Sequence, residues 1–219
     1  MSLNRILTDV DRKNLEPLIE KMFELCPETM SRKIPQANVQ QAFALDYIIK
    51  LLAFFDGLSM LCVGSFEDTV SESLEQTGYD VVNIDPAINM DLTTFRKSTD
   101  QKFDVIFSVS VIEHVKDDEE FIDDICNLLE DGGIAILTCD FKDDYKTGDP
   151  LPATDVRFYT KKDLTERLPK ILEKNDCSLF DEPHLEEPPN FLYQGHTYSF
   201  ATFVFMKHFV KEKDSKDGN

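Results

Sequence analysis

The 219-residue sequence has no apolar run near the roughly 20 residues that a membrane-spanning helix requires. Its longest such stretches, at residues 42–45, 47–49 and 51–55, are interrupted by Asp46 and Lys50. The opening residues, MSLNR, lack the long uncharged core of a signal peptide. A cytoplasmic protein without a membrane partner is therefore expected. No CxxC pair is present, and the five cysteines, Cys26, Cys62, Cys126, Cys139 and Cys177, are an odd and scattered set. Cys62, Cys126 and Cys139 lie inside apolar segments and read as small buried hydrophobes. That usage suits a reducing compartment and speaks against a disulfide framework or a zinc knuckle, so no metal is expected. Basic residues are in short supply: 23 Lys and Arg stand against 42 Asp and Glu, for a formal net charge of −19. Such a field repels a phosphate backbone, and the densest basic cluster, at 207–216, is interleaved with acids. Nucleic acid is thereby excluded as an expected partner.

What remains is the composition of a globular domain, 42% hydrophobic and 30% charged, at a length that suits one domain. Residues 1–55 read as helical. Leu7, Val10, Leu15, Leu18, Ile19, Met22 and Phe23 recur at three- and four-residue spacing, and a second helix is predicted over about 36–54. From residue 56 the pattern changes to short apolar strands alternating with helices. Strands are predicted at 59–64, 79–85, 103–108 and 134–139, with helices at 68–77 and 117–130 between them. Continuous apolar strands alternating with helices imply a parallel sheet covered on both faces. A helix at 161–173, a weak strand at 178–182 and a long aromatic strand at 198–209 follow; the last two should pair antiparallel. The expected division is an N-terminal helical lid over 1–55, an α/β core over 56–211 and a polar tail over 212–219.

In an open parallel sheet the ligand lies beyond the carboxyl ends of the strands. The first strand ends at Gly64 and Ser65, where glycine permits a tight turn and a close ligand. The second ends at Asp85, 21 residues after Gly64, a separation that suits an acid accepting hydrogen bonds from both ribose hydroxyls of an adenosine cofactor. The loop between has one glycine and carries Glu67 and Asp68 at the helix start, a poor cradle for pyrophosphate. A cofactor with adenosine and a cationic or zwitterionic end fits better than NAD.

Residues 60–64, 83–85, 103–115 (FDVIFSVSVIEHV) and 128–138 (LLEDGGIAILT) resemble, in order and spacing, the four main motifs of class I S-adenosylmethionine-dependent methyltransferases. The resemblance implies a Rossmann-like α/β fold, with seven mostly parallel strands, helices on both faces and an antiparallel last strand. It implies S-adenosyl-L-methionine as cofactor, Gly64 and Ser65 along its methionine, Asp85 on the ribose and Asp91 and Leu92 beside the adenine. Ser108 and Val109 would face the sulfonium. The sequence departs from the family pattern in carrying Cys62, Phe66 and Asp68 where an acid and two glycines are usual. That erosion leaves open a second reading, a non-catalytic adenosyl-ligand-binding or scaffold protein.

Methyl transfer is an in-line displacement, assisted for hydroxyl or amine acceptors by a base. His114, next to Glu113 and close to the expected sulfonium, is the candidate base. A metal-binding Glu-x-x-Glu-His variant would need an acid where Ser110 stands. Tyr193, Gln194 and His196, in a loop rich in proline and aromatics, are candidate acceptor contacts, and Arg157 is a candidate clamp for an anionic acceptor. Gln40, Gln41 and Tyr47 of the lid would touch cofactor or acceptor. The expected enzyme is a monomer or homodimer that methylates a small molecule, at oxygen in preference to nitrogen, with a sugar or glycan precursor as one acceptor type.

Overall fold

Along the central strands, successive side chains enter two separate cores. In the strand Phe103–Val109, Phe103 and Ile106 join one core while Val105, Phe107 and Val109 join the other. Both faces are therefore covered, as the apolar segments require. The computed structural model describes residues 2–209, so the tail expected over 212–219 lies outside the described residues. In chain order the strands are β1 (Ile6–Leu7), β2 (Met60–Val63), β3 (Val82–Ile84), β4 (Phe103–Val109), β5 (Leu129–Phe141), β6 (Cys177–Leu179), β7 (Phe191–Tyr193) and β8 (His196–Lys207). The helices are α1 (Asp9–Leu25), α2 (Pro27–Arg32), α3 (Asn38–Leu52), α4 (Thr69–Gln76), α5 (Leu92–Ser98), α6 (Asp118–Leu128) and α7 (Pro169–Lys174).

The sheet order is β1-β8-β5-β4-β2-β3, with β6 and β7 also paired to β8. β8 alone runs against its neighbours, as expected for the last strand. The sheet has eight strands rather than the expected seven. No strand follows α5 before β4 among the described residues, so β3 is an edge. Two unforeseen strands, β1 and β7, join β6 along the outer edge of β8.

β1 corrects the reading of residues 1–55 as wholly helical. The outer edge of β8 exposes backbone groups that need partners. Ile6 and Leu7 pair with Ala201 and Phe200, and the Asn4 side chain completes the ladder. Its amide donates to Val204 O (2.9 Å), and its carbonyl accepts from Val204 N (2.6 Å). Thr8 then starts α1 with a capping box: its hydroxyl accepts from Asp11 N while Asp11 accepts from Thr8 N (2.8 Å). The helices that follow β2, β3 and β4 are likewise capped by aspartates, Asp68, Asp91 and Asp117.

α1, α3 and α4 supply Met22, Phe43, Ile48, Val70 and Leu74 to one face of the sheet. α5, α6 and α7 supply Leu92, Phe121, Ile125 and Leu172 to the other. A buried ion cluster joins the segment after β5 to α6. Asp118, almost enclosed, accepts from Tyr159 Oη (2.9 Å) and Arg167 Nη2 (2.7 Å) and forms an ion pair with Arg157 Nη1 at 2.8 Å. Burial pushes its carboxyl up, but Arg167, Tyr159 and Arg157 outweigh that and hold it below the usual range. Asp118→Ala would leave two guanidinium groups without their shared partner. We expect it to cost about 3 kcal/mol, read as a lower denaturant midpoint at unchanged m-value; a change below about 0.5 kcal/mol would show the cluster to be dispensable.

Candidate functional site

From β2 the chain moves out to β3 and then returns to place β4 on the opposite side of β2, so strand order reverses between β2 and β4. Such a reversal leaves a crevice beyond the carboxyl ends of the two strands. Two cavities open there. A slot of about 310 Å³ is lined by Ile84, Met90, Leu92 and Phe121, with Asp85 and Asp91 at its polar side. A cleft of about 700 Å³ lies between residues 32–41 and the end of β4. Gly64, Asp85, Pro86, Val111 and Val115 border both.

Gly64 is required twice over. Its φ of +82° lies in the left-handed region, and a Cβ there would meet Val111 Cγ2 at 2.4 Å. The Gly64 and Ser65 amides donate to Ile84 O (2.9 and 3.1 Å), which ties the turn to the end of β3. At the junction of the cavities the Asp85 carboxylate accepts from Ala87 N (2.7 Å) and Phe66 N (3.2 Å), with lone pairs to spare. The two residues that replace family glycines do not fill the crevice. Phe66 is 58% exposed at the lip, and Asp68 turns inward to cap α4 through Ser71 N (2.8 Å). Asp91 caps α5 through Thr94 N (2.8 Å), which holds its carboxyl below the usual range, and Leu92 is buried beside it. Two buried atoms, Ser65 Oγ and Gln40 Oε1, have no protein partner, and Gln40 lines the cleft. Gln41 also lines the cleft, where it accepts from Val70 N (3.3 Å).

At the end of β4, Val109 lines the cleft but Ser108 does not. The Ser108 hydroxyl is buried and donates to Val63 O (2.9 Å), fastening β4 to β2 beneath the floor. Ser110, with φ +57°, is held in that conformation by Thr138 Oγ1 on its amide (3.1 Å) and by its own hydroxyl donating to Glu113 Oε1 (2.6 Å). His114 lines the cleft. Its Nδ1 lies 3.1 Å from Thr154 O and 3.3 Å from Asp155 Oδ1. The Asp155 contact, with help from Glu113, raises the imidazole to about 9 against the opposing effect of burial. Glu113 is fully buried, and burial pushes its carboxyl up to about 7 despite His114 and Ser110.

Other expected site residues are not brought to the cleft. Arg157 is committed to Asp118 and to the carbonyls of Val115 and Lys116, so it braces the loop behind the cleft. Gln194 sits in the β7–β8 turn, where it accepts from Ala153 N (2.9 Å). His196 packs near the Phe158 ring, and Tyr47 packs edge-on against Phe180. Of the aromatic loop, Tyr193 alone among the candidates reaches the cleft. Arg32, Lys33 and Asp155 went unread in the sequence because long-range packing assembles them here; Arg32 is 2.7 Å from Glu67. Among the described residues no group of three or more His, Cys, Asp and Glu is arranged to hold a metal ion, and no helix is long and apolar enough to cross a membrane.

A family model described as a methyltransferase domain matches residues 36–187, from α3 through β6. No curated protein matches the chain. Among solved structures, the (4+2)-cyclase SpnF is 13% identical, with 81% of this chain and 84% of that one covered at a TM-score of 0.52. A SAM-dependent methyltransferase from Archaeoglobus fulgidus is 12% identical, with 76% and 94% covered at 0.51. The CurJ carbon methyltransferase is 12% identical, with 91% and 68% covered at 0.50. At such identities the likeness is one of fold, which hosts more than one chemistry. The family match covers the whole slot, most of the cleft lining and all four sequence motifs, and the chain belongs to the methyltransferase domain family, the S-adenosylmethionine-dependent, Rossmann-like class of enzymes.

Proposed function

We propose that this chain transfers the methyl group of S-adenosylmethionine to an oxygen of a small-molecule acceptor. The observation that carries this reading is the meeting, at one carboxylate, Asp85, of an apolar slot and a wider cleft walled in part by charged and amide side chains. The slot has the apolar walls that an adenine needs, with Leu92 beneath it and Asp91 at its mouth. Asp85 accepts from both ribose hydroxyls, as the spacing from Gly64 suggested. Gly64 leaves room for the methionine portion, and Gln40 Oε1, unpartnered among the described residues and on the cleft wall, supplies an acceptor for its ammonium. The bound cofactor supplies an electrophilic methyl group on a sulfonium, and Val109 borders the space that group would occupy.

The acceptor then enters the remainder of the cleft between Tyr193 and His114. Residues 32–41 form its other wall, which supports the reading of the N-terminal segment as a lid. An acceptor of modest size suits a 700 Å³ cleft shared with the methionine portion. Oxygen is favoured over nitrogen because the raised His114 imidazole is cationic at neutral pH and repels an ammonium.

Calorimetric titration should show micromolar binding of S-adenosylmethionine and S-adenosylhomocysteine and none of NAD; NAD binding with no adenosyl binding would overturn the reading. Asp85→Ala should weaken S-adenosylmethionine at least tenfold, about 1.4 kcal/mol, and unchanged affinity would remove Asp85 from the ribose. Gly64→Ala should lower both Tm and that affinity, since the added Cβ meets Val111 at 2.4 Å; wild-type values for both would show that the turn can give way.

A further inference from the structure

His114 stands over a concentration of buried acid. Glu113 lies directly beneath it, fully buried, with Oε2 unpartnered. Asp155, on the loop after β5, has a side chain only 4% exposed and an unpartnered Oδ2. Asp140 of β5 is buried near them, and burial together with Glu113 and Asp155 pushes its carboxyl well up. Among the described residues the only cation paired with any of these three carboxyl groups is His114. The backbone fastens the arrangement, because Val156 N donates to Glu113 O (2.9 Å) and so locks the 154–156 loop against the turn that carries His114.

This geometry fixes which nitrogen does what. Nδ1 faces two acceptors, Thr154 O and Asp155 Oδ1, and therefore carries a proton. Nε2 has no protein partner among the described residues and belongs to a ring that lines the cleft. With Asp155 on Nδ1 and Glu113 beside it, the ring is held as an imidazolium, and Nε2 presents an N–H and a positive charge to the acceptor. A ring so held does not accept the proton of an alcohol at neutral pH. It binds an oxyanion.

We propose that the acceptor is a carboxylate, seated by one oxygen on the Nε2–H of His114 and methylated on the other to give an ester. This rests on the methyl-transfer reading above and names its substrate class. The attacking oxygen's lone pair forms the new O–CH₃ bond as the S–CH₃ bond breaks and its electron pair returns to sulfur. No proton leaves, so the reaction needs no base. The contribution of His114 is to bind and align the nucleophile; Asp155 is a positioning residue that keeps Nδ1 protonated and the ring charged.

The test reads the ring itself. In ¹⁵N-histidine NMR of the free protein, with His114→Asn for assignment, the His114 midpoint is expected near 9, and Asp155→Asn should lower it by at least one pH unit. In thermal melts the stability contributed by the charged ring is present in full below about pH 6.5 and lost as pH rises through about 9, a loss that His114→Asn should abolish. With S-adenosylhomocysteine present, sodium acetate should shift the Nε2 resonance saturably, whereas acetamide and sodium chloride at matched ionic strength should not. A wild-type midpoint at or below 7, or identical responses to acetate and acetamide, overturns the carboxylate assignment. Failure of S-adenosylhomocysteine to bind overturns the methyl-transfer reading instead, and the midpoint in the free protein still reports on His114.

Discussion

The site depends on one parting of strands. α4 leaves β2 for one face of the sheet and α6 follows β4 onto the other, so the carboxyl ends of β2 and β4 have no element above them. Ser108 holds the two strands together just below that point through Val63 O, and Gly64 lets the loops above come within contact of each other at Val111. The slot and the cleft are the two halves of the gap. Neither would exist if the chain ran in simple sequential order across the sheet.

The second constraint is electrostatic. A chain with a net charge of −19 repels anions at a distance. Arg32, Lys33 and His114 nonetheless line the cleft, and His114 draws its charge from buried Asp155 and Glu113. Asp118 works differently. Its partners are two guanidinium groups and a phenol, and it organises the back of the site: Arg157 holds the carbonyls of Val115 and Lys116, and Val115 borders both cavities.

Much of the fold was legible in the sequence because it is written in local pattern. The alternation of apolar strands with helices, the antiparallel last strand and the turn at Gly64 all follow from periodicity and glycine placement. β1 was not legible. Ile6 and Leu7 continue the apolar spacing of α1, and only the unpaired edge of β8 makes them a strand. The same holds for the site. Gly64, Asp85 and His114 lie at strand or helix ends and were read from their place in the chain, while Leu92 and Val109 came with the family resemblance; all five line the slot or the cleft. Arg157, Gln194 and His196 were read from their chemistry on loops near the carboxyl ends of the strands, and each is occupied elsewhere. Asp155 carried no signal, since nothing local marks a loop aspartate that folds back 41 residues to meet a histidine.

The sequence by itself determined the class of fold, the alternation of strands and helices between residues 59 and 141 and the turn at Gly64. Those rest on interactions between residues near in the chain, and on motifs whose spacing is set by strand and helix length. The tertiary structure alone decided the electrostatic setting of His114 in the cleft. Whether a histidine is a base or a cation depends on which groups surround it, and Asp155 and Thr154 O reach His114 from a loop some 40 residues further along the chain. Burial strengthens the pairing of His114 with Asp155, while it pushes the Glu113 and Asp140 carboxyls towards their neutral forms.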